Sequence, residues 1–572
     1  MRLLVVLLSL LLPAVLLAPA VLAQNEGATV PSPAPADDNG FVETFGQPEA
    51  DGSFRVGFSR QGAGIVWLQS LDHYKSVEAK RKPEHEPGDY LLLLDNPTGD
   101  FGLRVFADLQ VFAVDPSTSI WQAERLDGEV RFTLADGKGL VLEKIIRHEP
   151  QSRGFTVSLK LRNESSEVRG NLALTLSGPA LVSPQISSLF GDTSVAIAST
   201  AAGDEIVTMK AATDGKVQPL EIDASVVQFA GSTNRFFGAF VWPLDDASRA
   251  AMSGFVAQTI RPRPNAVPAD NLGLRMRYGL QLNVPQKGQS SEATLGLYIG
   301  PKSYRVFEKL PEGDRERFAP ILDVDLNPPC CGINIPLGKQ VAQFLLWLLG
   351  VFYDFLGNWG FAIILLTILV RSCMFPINFN MQKSMRKFGA KMGKLKPQME
   401  AMNKKYADDP KGKQQAMAQF YREHKIVPPV GGCLPMFLTM PIYIGLFTSL
   451  RTAYDLRHEP FIAWVDDLSR SDQMFTLGFW PHAFNLLPLL WIALFVFMTL
   501  RQPLPNDPQQ RQMQMIMRFM PILFGVMLYN YASALLVYMV TSMLWSLVES
   551  AIVKKKLGPV DPSAAGMTPT VM

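Results

Sequence analysis

The chain has 572 residues, 48% of them hydrophobic and 19% charged, with 54 Lys and Arg set against 52 Asp and Glu. A net charge of +2 with that composition fits neither a wholly membrane-embedded transporter nor an ordinary soluble protein. Nothing in it points to nucleic-acid specificity. The apolar residues are unevenly spread. Residues 41–320 are polar enough for water, whereas 340–555 hold almost all the long apolar runs, so two domains of different solvent preference are expected.

Residues 1–23 begin with Arg2, continue through an apolar stretch, and end in Val21-Leu-Ala23. That order predicts a secretory signal peptide, and its length also suits a retained N-terminal membrane anchor. Either way the following chain is exported. Residues 24–40, rich in Ala, Pro, Asp and Asn, read as a flexible linker. The four cysteines, Cys330, Cys331, Cys373 and Cys433, form neither a disulfide framework nor a metal-ligand spacing. No metal site and no cofactor are expected.

Between 41 and 320 short stretches alternate apolar and polar residues, as in Ser53-Phe-Arg-Val-Gly-Phe58, Glu129-Val-Arg-Phe-Thr-Leu134, Gly154–Leu161 and Leu172–Leu176. Period two marks half-buried strands. Asp127-Gly128 and Asp136-Gly137 mark turns between them. A large antiparallel sandwich follows. His73, His85 and His148 are scattered in it without a nucleophile or metal motif, so the domain is not expected to be an enzyme.

Residues 321–358 read as a connector ending in an amphipathic helix on the membrane surface, since Leu337–Leu356 mixes apolar residues with Lys339, Gln340, Gln343 and Asp354. The segment 359–556 then reads as a helical core of five spans, near 359–379, 429–450, 483–501, 515–531 and 533–553, each close to the ~20 residues a bilayer needs. Twelve Lys and Arg crowd the loop between the first two spans, while the 451–482 loop carries Asp455, Glu459, Asp466, Asp467 and Asp472. The positive-inside rule puts the basic loop and the C-terminus, with its short tail 557–572, in the cytoplasm of a bacterial cell. The β-domain then lies in the periplasm, and the whole is a multi-pass protein of the inner membrane.

Within the basic loop, Met381, Met385, Phe388, Met392, Leu395, Met399, Met402 and Tyr406 recur at spacings of four and three. That is a heptad seam. With a return helix after Asp408-Asp-Pro410 it predicts a cytoplasmic helical hairpin over 380–427, kinked or weakened near Pro397. The Met-rich stripe either packs the hairpin or offers a soft surface to apolar clients. Arg371 stands inside the first span, with Thr367 one turn before it on the same face. A guanidinium at that depth either faces a hydrated cavity or snorkels to headgroups.

Gly357-Asn-Trp-Gly-Phe-Ala-Ile-Ile364, Val370-Arg371 with Met374-Phe-Pro376, and Leu395-Lys-Pro-Gln-Met399 resemble the YidC/Oxa/Alb family of membrane protein insertases. So do Gly431-Gly-Cys-Leu-Pro-Met-Phe-Leu-Thr-Met-Pro441, Pro460–Trp464 with Asp467-Leu-Ser469, and Phe519–Phe524. The resemblance is to the bacterial YidC type with a large periplasmic domain, and it covers about 357–553. It implies a β-supersandwich like that of sugar mutarotases, and a hydrated groove centred on Arg371. Thr367, Thr439, Tyr538 and Ser542 are the expected companions of that arginine, and Met385, Phe388, Met392, Leu395 and Met399 those of the hairpin. The sequence departs from the family where Thr439 replaces a usual glutamine, Ala532 and Ala534 a proline and a glycine, and Met539 a tyrosine. The implied clients are nascent membrane proteins, inserted into the lipid bilayer alone or beside a Sec translocon and a ribosome. With no nucleotide-binding loop, hydrophobic partitioning and the membrane potential would drive insertion. A polytopic small-molecule or lipid transporter is the alternative, though the spans carry no internal repeat.

Overall fold

The computed structural model describes residues 40–95, 102–166, 170–181, 195–200, 206–210, 217–219, 226–260, 273–324, 338–405, 410–423, 434–476, 483–501 and 508–558. The expected signal peptide or anchor, most of the linker, Cys330, Cys331, Cys433 and the tail beyond 558 lie outside the described residues. The chain divides into two compact units. One comprises residues up to Gly300 with Leu310–Asp314, and the other Pro301–Lys309 with everything from Arg315 onward.

The first unit is predominantly β, and the four alternating stretches quoted above each form a strand, the first from Phe54 onward. A nine-stranded antiparallel sheet runs, edge to edge, through Ile206–Lys210, Val195–Thr200, Val227–Thr233, Phe237–Pro243, Ser290–Pro301, Gly154–Asn163, Leu140–Glu149, Glu129–Ala135 and Gln122–Leu126. Asp127-Gly128 makes the two-residue turn that closes Leu126 onto Glu129, with Gly128 at φ 69°, a conformation a side chain would oppose. A four-stranded sheet, from Gly40 to Asp95, packs its Phe41, Phe45, Phe54 and Phe58 against Phe132 and Phe155 of the large sheet. A five-stranded sheet covers another part, and Tyr278 from it donates to the carbonyl of Ala230 across the core at 2.8 Å. Alternation along each strand is what lets one face fill this core.

Lys144 is fully buried in that core, and its Nζ donates to the carbonyls of Ala63, at 2.6 Å, and Leu103. Both acceptor residues have left-handed backbones, φ 48° and 59°, so the lysine pins two tight turns. Burial pushes its pKa down to about 7. His73 has Ser70 and Asp72 as neighbours, but both meet the same ring nitrogen, Nδ1. Arg153 binds buried Asp72 and, at 3.0 Å, the exposed Asp51, so it ties a buried ion pair to a turn at the surface. Burial raises the Asp72 pKa, but His73 and Arg153 outweigh it and hold the carboxyl well below its usual range.

The second unit is helical. We label its long helices α1 (Gly338–Leu356), α2 (Trp359–Lys405), α3 (Pro410–Glu423), α4 (Leu434–Thr452), α5 (Leu486–Leu500), α6 (Pro508–Met527) and α7 (Ser533–Leu557). Among the described residues two helical stretches are long and apolar enough to cross a membrane, Trp359–Ser384 and Ser533–Leu557. At 1.5 Å per residue they reach about 39 and 37 Å, against a hydrocarbon core of about 30 Å. Shorter apolar helices are Gln340–Leu356, Leu486–Leu500 and Arg518–Met527. Helix α2 runs through Pro376 and Pro397 to Lys405, so the stretch expected as the first span and the one expected as the first helix of the hairpin form one continuous helix.

One apolar core joins α1, α2, α4 and α7, built on Leu345 and Leu349 of α1, Ala362, Ile363 and Leu366 of α2, Leu446 and Leu450 of α4, and Leu535 to Tyr538 of α7. Helix α1 approaches α4 where Gly445 leaves room beside the Ala342 backbone, and Ser449 Oγ bonds the Ala342 carbonyl at 3.3 Å. Its other face exposes Phe344, Trp347, Val351 and Phe355, spaced as one helical stripe. The acids of the 451–482 loop turn out to be partly structural. Buried Asp472 accepts from Trp464 Nε1 and from the free backbone N–H groups of Leu486 and Leu487 that open α5, at 3.0, 2.7 and 3.0 Å. Buried Asp467 accepts from the His458 and Ser469 backbone at 3.0 and 2.8 Å.

Candidate functional site

Helix α2 offers Arg371 because an i−4 spacing stacks it above Thr367 on the face turned to α4 and α7. Thr367 is buried, and its hydroxyl bonds back to the Ile363 carbonyl at 2.7 Å, so it adds a polar lining without an orphan donor. The Arg371 guanidinium donates from Nε to Ser542 Oγ of α7 at 2.8 Å, and from a terminal nitrogen to the same oxygen. It also lies over the Tyr443 ring of α4, 5.3 Å from the centroid. These contacts turn the side chain inward, into a cavity that α2, α4 and α7 share.

That cavity is lined by Thr367, Val370, Arg371, Met374 and Asn378 from α2, by Ile442, Tyr443 and Leu446 from α4, and by Tyr538 from α7. Of the residues expected from sequence, Arg371, Thr367, Tyr538 and Ser542 therefore meet in one place. Thr439 falls within α4, but its side chain lies outside the described residues. The side chains of Met385, Phe388 and Met392 likewise lie outside them, while Leu395 and Met399 are half-buried on α2.

Two polar residues of the cavity lining, Tyr443 and Asn378, and a neighbour of Asn378, Glu549, escaped the reading of the sequence. Tyr443 sits in an apolar run with nothing local to single it out. Asn378 lies seven residues after Arg371, and Glu549 seven after Ser542, which is the same helix face in each case. That repeated spacing was the available signal, together with the fact that Glu549 is the one acid in α7.

Two family models account for most of the chain. One, described as 60Kd inner membrane protein, matches residues 351–559, and the other, described as YidC periplasmic domain, matches 50–322. The chain belongs to the YidC family. Among its curated relatives, the membrane protein insertase YidC of Neisseria meningitidis serogroup C is 33% identical over 282 residues, covering 48% of this chain and 45% of that one. The insertase YidC of Burkholderia ambifaria is 32% identical over 278 residues, covering 49% and 44%. The chain thus spans a little under half the length of the curated YidC relatives it matches. A solved structure of an active YidC insertase with its first transmembrane domain resolved aligns over 90% of this chain and 92% of that one. Its identity is 17% and its TM-score 0.33, too low to carry anything further. The β-rich and helical parts of this chain fall on the two YidC family models in turn, the boundary between the models lying between 322 and 351.

Proposed function

We propose that this chain is a membrane protein insertase, and that its cavity hosts the polar flank of a client while the client's apolar segment passes into lipid. The observation that carries the reading is Arg371. It is a permanent cation, held between α2, α4 and α7 by Ser542 and Tyr443, inside a helical unit that matches the insertase family. Moving a polar flank across hydrocarbon unaided is costly. A cavity with a cation, two tyrosines and hydroxyl groups shortens the dry part of that path.

Apolar helices α2, α4, α5, α6 and α7 would make five spans, with α1 lying along the surface through its exposed Phe344, Trp347, Val351 and Phe355. The C-terminal part of α2, together with α3, would form the cytoplasmic hairpin, and the β-domain would face the periplasm of a bacterial inner membrane. The asymmetry of Lys and Arg across the loops supports that orientation. Clients would be nascent membrane proteins, met directly or beside a Sec translocon and a ribosome. The rival transporter reading has no support among these findings. The test is photocrosslinking from position 371 to a stalled nascent membrane protein in the native host, with insertion followed as this protein is depleted. Clients that insert equally well after depletion, and no crosslink from 371, would remove the proposal.

A further inference from the structure

The loop between α4 and α5 gathers the N-terminal ends of three helices. Asn358, the residue before α2, donates from Nδ2 to the carbonyls of Pro460 and Phe461 at 3.3 and 3.2 Å. The carbonyls of Arg470 and Leu468 accept the free N–H groups of Ser533 and Ala534 that open α7, at 2.6 and 2.9 Å. With Asp472 on the first N–H groups of α5, the segment 460–472 thus holds the starts of α2, α5 and α7 side by side. The far end of α7 fixes the depth of that loop. Lys554, Lys555 and Lys556 are exposed there, and three consecutive cations belong outside hydrocarbon. Counting about 30 Å of hydrocarbon back from them takes about 20 residues and reaches Ala534. Ala534 is bonded to the loop, so the loop lies at the hydrocarbon boundary opposite the lysines.

At this level the loop turns apolar side chains outward. Ile462 is 50% exposed at the tip of a tight turn closed by the Phe461 N–H on the Val465 carbonyl at 2.9 Å. Met474 and Phe475, where the short strand Phe475–Thr476 begins, are 45% and 49% exposed. Trp464 of the first turn donates to Asp472, two residues before Met474, so both sites belong to one fixed surface. Turn tips in water favour Gly, Asn, Asp and Ser, whereas Ile, Met and Phe gain there only when something apolar covers them. We propose that this loop is a lipid-binding surface, with Ile462, Met474 and Phe475 entering the acyl–headgroup boundary of the leaflet opposite the lysines. The occupant is lipid because the surface is level with the ends of the spans, where the bilayer already begins. Exposed Asp466, between the two sites in sequence, limits the depth to that boundary, since a carboxylate belongs in water. This rests on reading α2 and α7 as membrane spans, and it adds the partner of the loop that pins their starts. Through that loop the leaflet sets the depth of all three helix starts.

The experiment places the photoreactive residue p-benzoylphenylalanine at Ile462 or Phe475 of the full-length chain, a replacement that keeps the side chain large and apolar. Controls carry it at Leu523, on the exposed face of α6, and at Glu124, on an exposed strand of the β-domain. Each chain is irradiated in vesicles of phosphatidylethanolamine and phosphatidylglycerol, and the adducts are identified by mass spectrometry. Lipid adducts at 462 and 475 should come within about threefold of the yield at Leu523 and exceed that at Glu124 by at least about tenfold. Crosslinks to protein, whether a second copy or another segment of the chain, overturn the proposal and make the loop a protein contact. Yields as low as at Glu124 overturn it too and leave the loop in water. Either result leaves the spans standing so long as Leu523 gives its lipid adduct. Loss of the adduct at Leu523 as well overturns the reading of the spans and this inference with it.

Discussion

Replacing Arg371 by alanine tests the electrostatic core of the mechanism. The guanidinium is fixed by Ser542 and Tyr443, so it cannot follow a client, and its influence depends on how near a client acid comes. At about 6 Å and an effective dielectric of about 20, one acid gains roughly 3 kcal/mol. All of that is lost with the guanidinium, and ~3 kcal/mol is roughly a hundredfold in insertion rate. Arg371→Ala should therefore lose up to about a hundredfold on a client with one translocated acid and little on its neutral counterpart. Arg371→Lys should retain most activity, because it keeps the charge and gives up only the Nε bond to Ser542. The assay is protease protection of a small single-span client in cells that depend on the variant. Equal loss for acidic and neutral flanks would refute the electrostatic role and leave Arg371 as a packing or snorkelling group.

For topology, a cysteine at Gln415 on α3 and another at Asp466 in the loop before α5 are both exposed positions, and they should label from opposite sides of intact cells; labelling from one side would end the orientation proposed here. Asp472 is unsuitable for this purpose, since it is buried as the cap of α5. The double substitution Met392→Asp with Leu395→Asp should disrupt the seam and reduce insertion several-fold, whereas Lys391→Ala should be mild because exposed single charges contribute little; normal insertion by the double variant would make the heptad incidental. Lys144 makes stability depend on pH. In the unfolded chain it stays protonated up to about pH 10, while in the folded chain it loses its proton near 7. Between those values the unfolded state holds the extra proton, so this lysine lets stability rise with pH, at most about 1.4 kcal/mol per unit, and adds no slope below 7. Thermal unfolding of the full chain should show that slope, relative to Lys144→Met, vanish in the variant; identical pH profiles would refute the assignment.

The sequence by itself determined the parts of this protein that depend on local periodicity. Period two in Gly154–Leu161 and Glu129–Leu134 specified strands, because alternate side chains of an extended chain must face opposite ways. Asp127-Gly128 specified its hairpin turn, because the second position requires φ above zero. Apolar runs located α2 and α7, and Arg371 stood out because charge is rare in such runs. Tertiary structure decided what those residues meet. Nothing local predicts that Arg371 would find Ser542 171 residues later, or that Tyr443 would lie under it. A helix fixes which residues share a face, but the partner of that face depends on how α2, α4 and α7 pack. The same holds for Asp467 and Asp472, which as a count of charges described a loop and in three dimensions became the acceptors that hold it shut.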